Sequence, residues 1–311
     1  MRLPPVHRLW VTSQLRRVRP HALVVVLGCF ALIGGGEAGA SANAAEDSVA
    51  ASVSVGGQHA CAIRTNGTVS CWGYDGHGPT SAPRGTFTQV SAGDLHACGI
   101  RPNHTVDCWG RGPVGEVQAP GGTYIEVSAG ELFTCGLRAT HNVVCWGNNM
   151  FHQLNAPAGT FTQISSGDSH ACGIRTTGLV SCWGDNRFGQ SNPPQGTFVQ
   201  VSAGGPRTCG VRTNGNVICW GGGDPQQLRA PAGEFIEVSA GGFHTCGIRT
   251  DGTIGCWGRP PVTRPQAIPP NGKFIQISAG DGERACGIRA DHTIACWGPG
   301  KPAPPPGAFA T

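Results

Sequence analysis

The sequence predicts an all-β fold: a seven-bladed β-propeller with blades of three to four antiparallel strands and one disulfide per blade. Three observations carry this. Two cysteines recur at a fixed spacing with a tryptophan after the second, the spacing between copies is nearly constant, and the last residues complete the first copy. The pairs are Cys61 with Cys71, Cys98 with Cys108, Cys135 with Cys145, Cys172 with Cys182, Cys209 with Cys219, Cys246 with Cys256 and Cys286 with Cys296, each C-x9-C. Trp72, Trp109, Trp146, Trp183, Trp220, Trp257 and Trp297 follow them. First cysteines stand 37 residues apart five times and 40 once, and such a period is the signature of a repeat architecture.

Residues 1–45 have a different character. Arg16, Arg17 and Arg19 precede an apolar run from Ala22 to Ile33 and then "GEAGASANAAED". A basic stretch, a short apolar run and A-x-A sites describe a secretory signal peptide, too short for a transmembrane helix. The expected mature domain is 46–311, secreted or held at the cell surface or in a periplasm. Lipidation at Cys29, in "VLGC", is the alternative, and the only membrane attachment expected. Removing five of 22 basic and one of 18 acidic residues leaves 17 of each. A neutral chain with seven of its basic residues at one repeat position (Arg64, Arg101, Arg138, Arg175, Arg212, Arg249, Arg289) offers no phosphate-tracking stripe, so no nucleic-acid partner is expected.

Within a repeat, "CAIRTNGTVSC" reads as strand, three-residue turn, strand. The turn's left-handed position is glycine in four copies (Gly67, Gly178, Gly215, Gly252) and His104, His141 or His292 in the others. Histidine is a tolerable non-glycine residue there, so these three are read as turn residues. The turn sets Arg64 opposite Thr68 and hence Cys61 opposite Cys71, in the closely spaced cross-strand pair that a disulfide needs. Zinc is the rival reading, since His59, His96, His170 and His244 stand two residues before cysteines. Structural zinc sites want C-x2-4-C spacing, which is absent, and an even cysteine set in an exported chain reads as a disulfide framework. No metal or cofactor is expected.

Upstream of each pair from the second onward stands P-x-G-x-(F/Y)-x-(Q/E)-(V/I)-S-(A/S)-G, an alternating strand ending in a glycine turn. The linker after W-G is expected to add a short fourth strand, and the small residue after each first cysteine to make room for an indole. The first repeat lacks its "P-x-G-x-F", and the terminal "PPGAFAT" supplies it with Phe309 in the aromatic slot. Such a split repeat fits a closed ring.

"VSAGDSHACGIRTTGLVSCWGDNRFGQSNPP" (165–194) resembles the regulator of chromosome condensation repeat, and the resemblance extends over residues 53–311. It implies a seven-bladed propeller. Short repeats with cysteines in two strands are similar to those of secreted bacterial members, a group that includes a propeller-type β-lactamase inhibitor. The fold does not fix the function. Protein binding through variable loops on one face is the reading adopted, by a monomer. A carbohydrate-binding propeller is the alternative, and guanine-nucleotide exchange or glycoside chemistry stand further off. No nucleophile, phosphate-loop or metalloprotease motif is present, so no catalytic residue is assigned. Asp94, Glu131, Asp168 and Asp281 follow the A-G turns and are read as solvated rim charges.

Strand direction puts the A-G-x-x-H turns and the segments after W-G on one rim and the T-N-G turns on the other. The T-N-G turns are nearly uniform, whereas the W-G segments vary, and variable loops on a rigid frame are where specificity resides. Candidate binding residues are Asn148, Met150, Phe151 and His152 in blade 3 and Asn186, Arg187 and Phe188 in blade 4. Met150, Phe151 and Phe188 could equally fold inward as caps.

Overall fold

The computed structural model describes residues 53–258, 268–282, 284–299, 303–307 and 309. The proposed signal peptide and Cys29 lie outside them. The described residues form seven three-stranded antiparallel sheets, one per repeat. In blade 4 the inner strand is Phe161–Ser166, the middle strand His170–Arg175 and the outer strand Val180–Gly184. The linkers hold turns and isolated bridges such as Leu179↔Thr197, so no fourth strand forms among the described residues. One short helix, α1 (Pro225–Leu228), follows blade 5, with Asp224 and Gln227 forming its capping box.

The hairpin behaves as its turn chemistry requires. Arg64 N–H donates to Thr68 O (2.8 Å), and every first cysteine faces its own second cysteine. All seven expected disulfides form, each with Cα atoms 4.0 Å apart: Cys61 to Cys71, Cys98 to Cys108, Cys135 to Cys145, Cys172 to Cys182, Cys209 to Cys219, Cys246 to Cys256 and Cys286 to Cys296. The two ends of each bridge differ in environment. The first cysteine, on the middle strand, is buried, whereas Cys71, Cys108, Cys145, Cys182, Cys219, Cys256 and Cys296, on the outer strands, are only half-buried. The left-handed turn position holds Gly67 (φ 79°) and its glycine equivalents, and His104, His141 and His292 (φ 65°, 65°, 64°). The imidazole Nδ1 of each histidine bonds the carbonyl oxygen of Tyr124, Phe161 or Phe309, which confirms them as turn residues.

Each core layer lies between blades. Phe161, Ile164 and Trp183 of blade 4 pack on Phe133, Cys135 and Leu137 of blade 3, so one blade's disulfide is covered by the next blade's indole. The small residue after the first cysteine serves a different ring from the one expected. A methyl group at Gly173 would meet the Phe161 ring at 2.7 Å, and at Gly136 the Tyr124 ring at 2.5 Å with Trp146 behind it at 3.2 Å. It makes room chiefly for the inner-strand aromatic of its own blade. The repeated arginine stacks on that same aromatic ring, Arg101 on Phe87 at 4.2 Å and Arg175 on Phe161 at 4.9 Å, which explains its presence in every copy.

The inner strands are joined side by side without a continuous backbone ladder. Each serine hydroxyl accepts from a backbone N–H of the following blade: Ser54 from Ala92, Ser91 from Ala129, Ser128 from Ser166, and so on to Ser278 from Val55. That last bond joins blade 7 to blade 1. The glycine that ends each inner strand is forced by the same closeness. A Cβ on Gly56, Gly93, Gly130, Gly167, Gly204, Gly241 or Gly280 would lie within 2.6 Å of the following blade's glycine carbonyl oxygen. Phe309 occupies blade 1's aromatic slot: it is 1 % exposed, bridges Arg64, and its N–H donates to His292 O at 3.1 Å. The ring closes as the split repeat predicts.

Candidate binding face

The two rims are built differently. On the T-N-G rim, each turn accepts the N–H of the next inner strand's aromatic, as in Phe87 to Gly67 O and Phe161 to His141 O. On the other rim, in blades 1 to 5, the residue after W-G is tied to the A-G-x-x-H turn of its own blade. Asn148 N–H donates to Leu132 O and Asp185 N–H to Ser169 O, both 2.9 Å. From below, the loops of blades 1 to 4 are held by the next blade's indole: Trp109 to Pro79 O, Trp146 to Glu116 O, Trp183 to Gln153 O and Trp220 to Gln190 O. These anchors are backbone carbonyls, which leaves exposed side chains such as Met150 and Phe188 free of the frame.

The candidate residues divide accordingly. Asn148 Oδ1 accepts from Met150 N–H and Gln153 Nε2, Asn186 bonds Ser191 N–H and Asn192, and His152 adopts a left-handed φ of 64°. These three are spent on loop shape. Met150 and Phe188 are 75 % and 60 % exposed, so they do not cap the core. Arg187 pairs bidentately with the buried carboxylate of Asp185 and lays its guanidinium on the Phe151 ring at 4.5 Å. Its hydrogen bonds hold the Asp185 carboxyl below the usual range. Phe188 lies against Gly222 of blade 5. Met150, Phe151, Arg187 and Phe188 thus form one apolar and cationic ridge across blades 3 to 5.

The four carboxylates stand on the rim where the sequence puts them, but only Glu131 is exposed, and Asp94, Asp168 and Asp281 are half-buried. Asp94, Glu131, Asp168 and Asp281 gather round the mouth of the central channel, at the same rim as the ridge. The recess between them holds about 60 Å³. Its wall is a ring of Ala92, Ala129, Ala203, Ala240 and Ala279, interrupted by Ser166 in blade 4. Burial, then repulsion from Asp281, Glu131 and Asp94, pushes the Asp168 carboxyl up to about 8, and the other three are also raised, burial being the first cause for each. The sequence signal was available: blades 1, 5 and 6 carry glycine (Gly57, Gly205, Gly242) at this position, and four blades carry an acid.

Behind this mouth, His59, His96, His170 and His244 are buried and held neutral, burial pushing each down to about 4. Thr208 donates to Gln190 O, so His170 Nε2–H donates to Thr208 Oγ1 at 2.8 Å. Among the described residues, no three His, Cys, Asp or Glu side chains are placed to share one metal ion. The opposite rim has an exposure of its own. A bulge after each inner-strand aromatic turns Ile125, Val199, Ile236 and Ile275 outward.

Comparison with known proteins follows this geometry. The regulator of chromosome condensation (RCC1) repeat matches residues 50–78, 87–116, 124–153, 161–190, 198–224 and 235–260, more than half the chain. The chain belongs to the RCC1 repeat family. The match covers six blades, and the seventh sheet repeats their geometry. Two receptor-kinase ectodomains are similar. That of CR4 from the moss Physcomitrella patens is 30 % identical (TM-score 0.69; 80 % of this chain, 72 % of that one). The CRINKLY ectodomain of ACR4 from Arabidopsis thaliana is 28 % identical (TM-score 0.71; 83 % and 98 %). Yeast RCC1 (Prp20), solved bound to Kap60, shares the fold at 16 % identity (TM-score 0.57; 66 % and 69 %). No curated protein sequence matches the chain.

Proposed function

We propose that this RCC1-repeat propeller is an exported scaffold without catalytic role that binds another protein through the face bearing the W-G loops. The observation that carries the reading is the ridge of Met150, Phe151, Arg187 and Phe188: bulky side chains held at a rim whose backbone is tied down on every side. Aromatic and arginine side chains of this kind dominate protein interfaces. Seven disulfides and the ectodomain relatives support an exported or extracellular setting, and residues 1–45 are proposed as the export signal, removed before folding.

The test is capture of a partner from the producing cell's exported proteins on the immobilised, oxidised protein, with a glycan array alongside. M150S/F151S/R187S/F188S is expected to weaken the captured complex by about a hundredfold. Matched changes in the T-N-G turns, at Asn66, Thr177 and Asn214, are expected to stay within about threefold of the parent, since they lie off the interface. Loss in the turn variants and retention in the loop variant would overturn the proposed face, and strong glycan signals would overturn the protein reading.

A further inference from the structure

The arginine that ends each middle strand is fully engaged in some blades and not in others. Arg64 Nε donates to Ser70 Oγ, Arg175 Nε to Ser181 Oγ, and Arg101 pairs with Asp107. Each also donates to a carbonyl oxygen, of Pro306, Ala158 or Arg84. The side-chain acceptor is the residue before the second cysteine. In blades 3, 5, 6 and 7 that residue is Val144, Ile218, Gly255 or Ala295, which offers none. Arg212 keeps one bond, to Gln195 O, and among the described residues the guanidinium groups of Arg138, Arg249 and Arg289 make no hydrogen bond or ion pair. They are half-buried, held by stacking on Tyr124, Phe235 and Phe274 at 5.1, 5.2 and 5.6 Å, with donors left over.

A second position, on another strand, changes in step with the first. The bulge residue after the inner-strand aromatic is Thr88 in blade 2 and Thr162 in blade 4, each hydroxyl bonded to a carbonyl of its own blade, Ile100 O or Ile174 O. In the four blades with under-bonded arginines it is Ile125, Val199, Ile236 or Ile275, all exposed. Each aliphatic side chain is thus next in sequence to the ring that carries an arginine. Blades 5 to 7 are consecutive, and equivalent positions of a closed ring lie in one plane. The result is a flat amphipathic band, aliphatic round the T-N-G mouth of the channel and cationic just outside it. Its further charges are Arg84 and Lys273 against Glu234, Asp251 and Asp291, and the two aspartates already accept from Thr253 and Thr293 of their own turns. The rim is cationic although the chain from residue 46 onward is neutral. Val53 begins blade 1's inner strand on this side, because Phe309 fills the slot ahead of it. A chain lipidated at Cys29 would therefore bring this rim, not the W-G face, to its membrane.

We propose that the T-N-G rim rests on an anionic lipid bilayer, with Ile125, Val199, Ile236 and Ile275 entering the headgroup layer and Arg138, Arg212, Arg249 and Arg289 meeting the lipid phosphates. The W-G face then points away from the membrane, toward its protein partner. This goes beyond the binding face assigned above and does not depend on it. A planar set of side chains suits a planar partner, whereas a peptide needs a groove or a strand edge. A guanidinium already fixed on a ring presents its remaining donors to phosphate with little further ordering. Aliphatic insertion and attraction to anionic headgroups reinforce each other on such a surface.

Flotation with vesicles of equimolar phosphatidylglycerol and phosphatidylcholine tests this on the exported, disulfide-bonded protein. V144D/I218D/A295D copies Asp107 of blade 2, and pairs Arg138, Arg212 and Arg289 while keeping their stacking. I125T/V199T/I236T/I275T copies Thr88 and Thr162. Each is expected to weaken partitioning about tenfold or more, and vesicles of phosphatidylcholine alone to bind the parent about tenfold or more weakly. M150S/F151S/F188S should bind vesicles as the parent does, so failure of this proposal is read separately from failure of the protein-binding face. Circular dichroism and melting temperature check that each variant is folded, and the threonine set stands alone if the aspartate set is not. A parent that stays unbound at millimolar lipid, equal binding to charged and neutral vesicles, or undiminished binding by the folded variants would overturn the proposal. Capture of a soluble acidic, leucine-containing peptide in place of vesicles would overturn it in favour of a protein.

Discussion

The two rims are made from the same seven repeats, yet one is uniform and the other varied. The difference is what each loop must carry. A T-N-G turn closes its own hairpin and also receives the first N–H of the next blade, so Gly67, His104 or His141 holds two blades at once. Any change there is felt at a seam. The W-G loops of blades 1 to 4 are held through their backbone, by the A-G turn of their own blade and the next blade's indole, and exposed side chains such as Met150 and Phe188 bear no part of the ring. Uniformity marks where the fold is under load, and variety marks where it is not.

The largest expected effect comes from opening the ring at the T-N-G side. Deleting Pro305–Thr311 removes the buried Phe309 and its bond to His292, which should lower the melting temperature by about 10 °C and cause aggregation through exposed strand edges. An unchanged melt would show that this rim is not under load.

Between the rims, the seams carry a pH signature. Gln163 and Gln200 each accept an N–H and donate to a carbonyl of the following inner strand. Glu126 and Glu237 occupy the same position, accept from Ile164 and Ile277 N–H, and are pushed up to about 8 by burial. A carboxylic acid can copy the amide, and a carboxylate cannot. Because the folded value is raised, this contribution is full below about 4.5 and is lost as pH rises through about 8. The buried histidines act in the opposite sense: lowered to about 4, they stabilise fully above 6.5 and lose that contribution as pH falls toward 4. E126Q/E237Q should therefore raise the melting temperature at pH 9 by about 5 °C or more and change it little at pH 5. Equal effects at the two pH values would contradict the assignment.

Smaller still is the cost of one turn. Gly178→Val puts a β-branched residue at φ 81° and should cost about 1–2 kcal/mol, whereas His141→Gly should be neutral or slightly stabilising. Smallest is the loop change M150S/F151S/F188S, which leaves the Arg187–Asp185 pair in place and is expected to move the melting temperature by no more than about 2 °C despite altering three large side chains. A large loss there would show that the ridge belongs to the fold.

The frame was legible in the sequence because its determinants are local. C-x9-C with a three-residue turn fixes the hairpin register, and the position of Phe309 fixes closure. The absence of a fourth strand among the described residues was not legible, since a linker that bends at prolines and glycines gives no alternating pattern. Nor was the partner of the small residue after Cys98 and its equivalents, because a facing ring is set by how strands stack between faces. The acids at the channel mouth were visible as residues but not as a group: 37 residues separate Asp94 from Glu131 and Glu131 from Asp168, and only the closed ring brings them together. Asn148, His152 and Asn186 show the reverse error, since polar loop residues look free until their backbone partners are seen.

The central claim is that binding uses the W-G face and leaves the T-N-G face open. Hydroxyl-radical footprinting of the captured complex measures this directly, because each face has exposed reactive side chains of its own. The account predicts protection of Met150, Phe151 and Phe188 with undiminished labelling of Leu179, Val199 and Ile236. Protection of Leu179, Val199 and Ile236, with Met150 and Phe188 labelled as in the free protein, would contradict it.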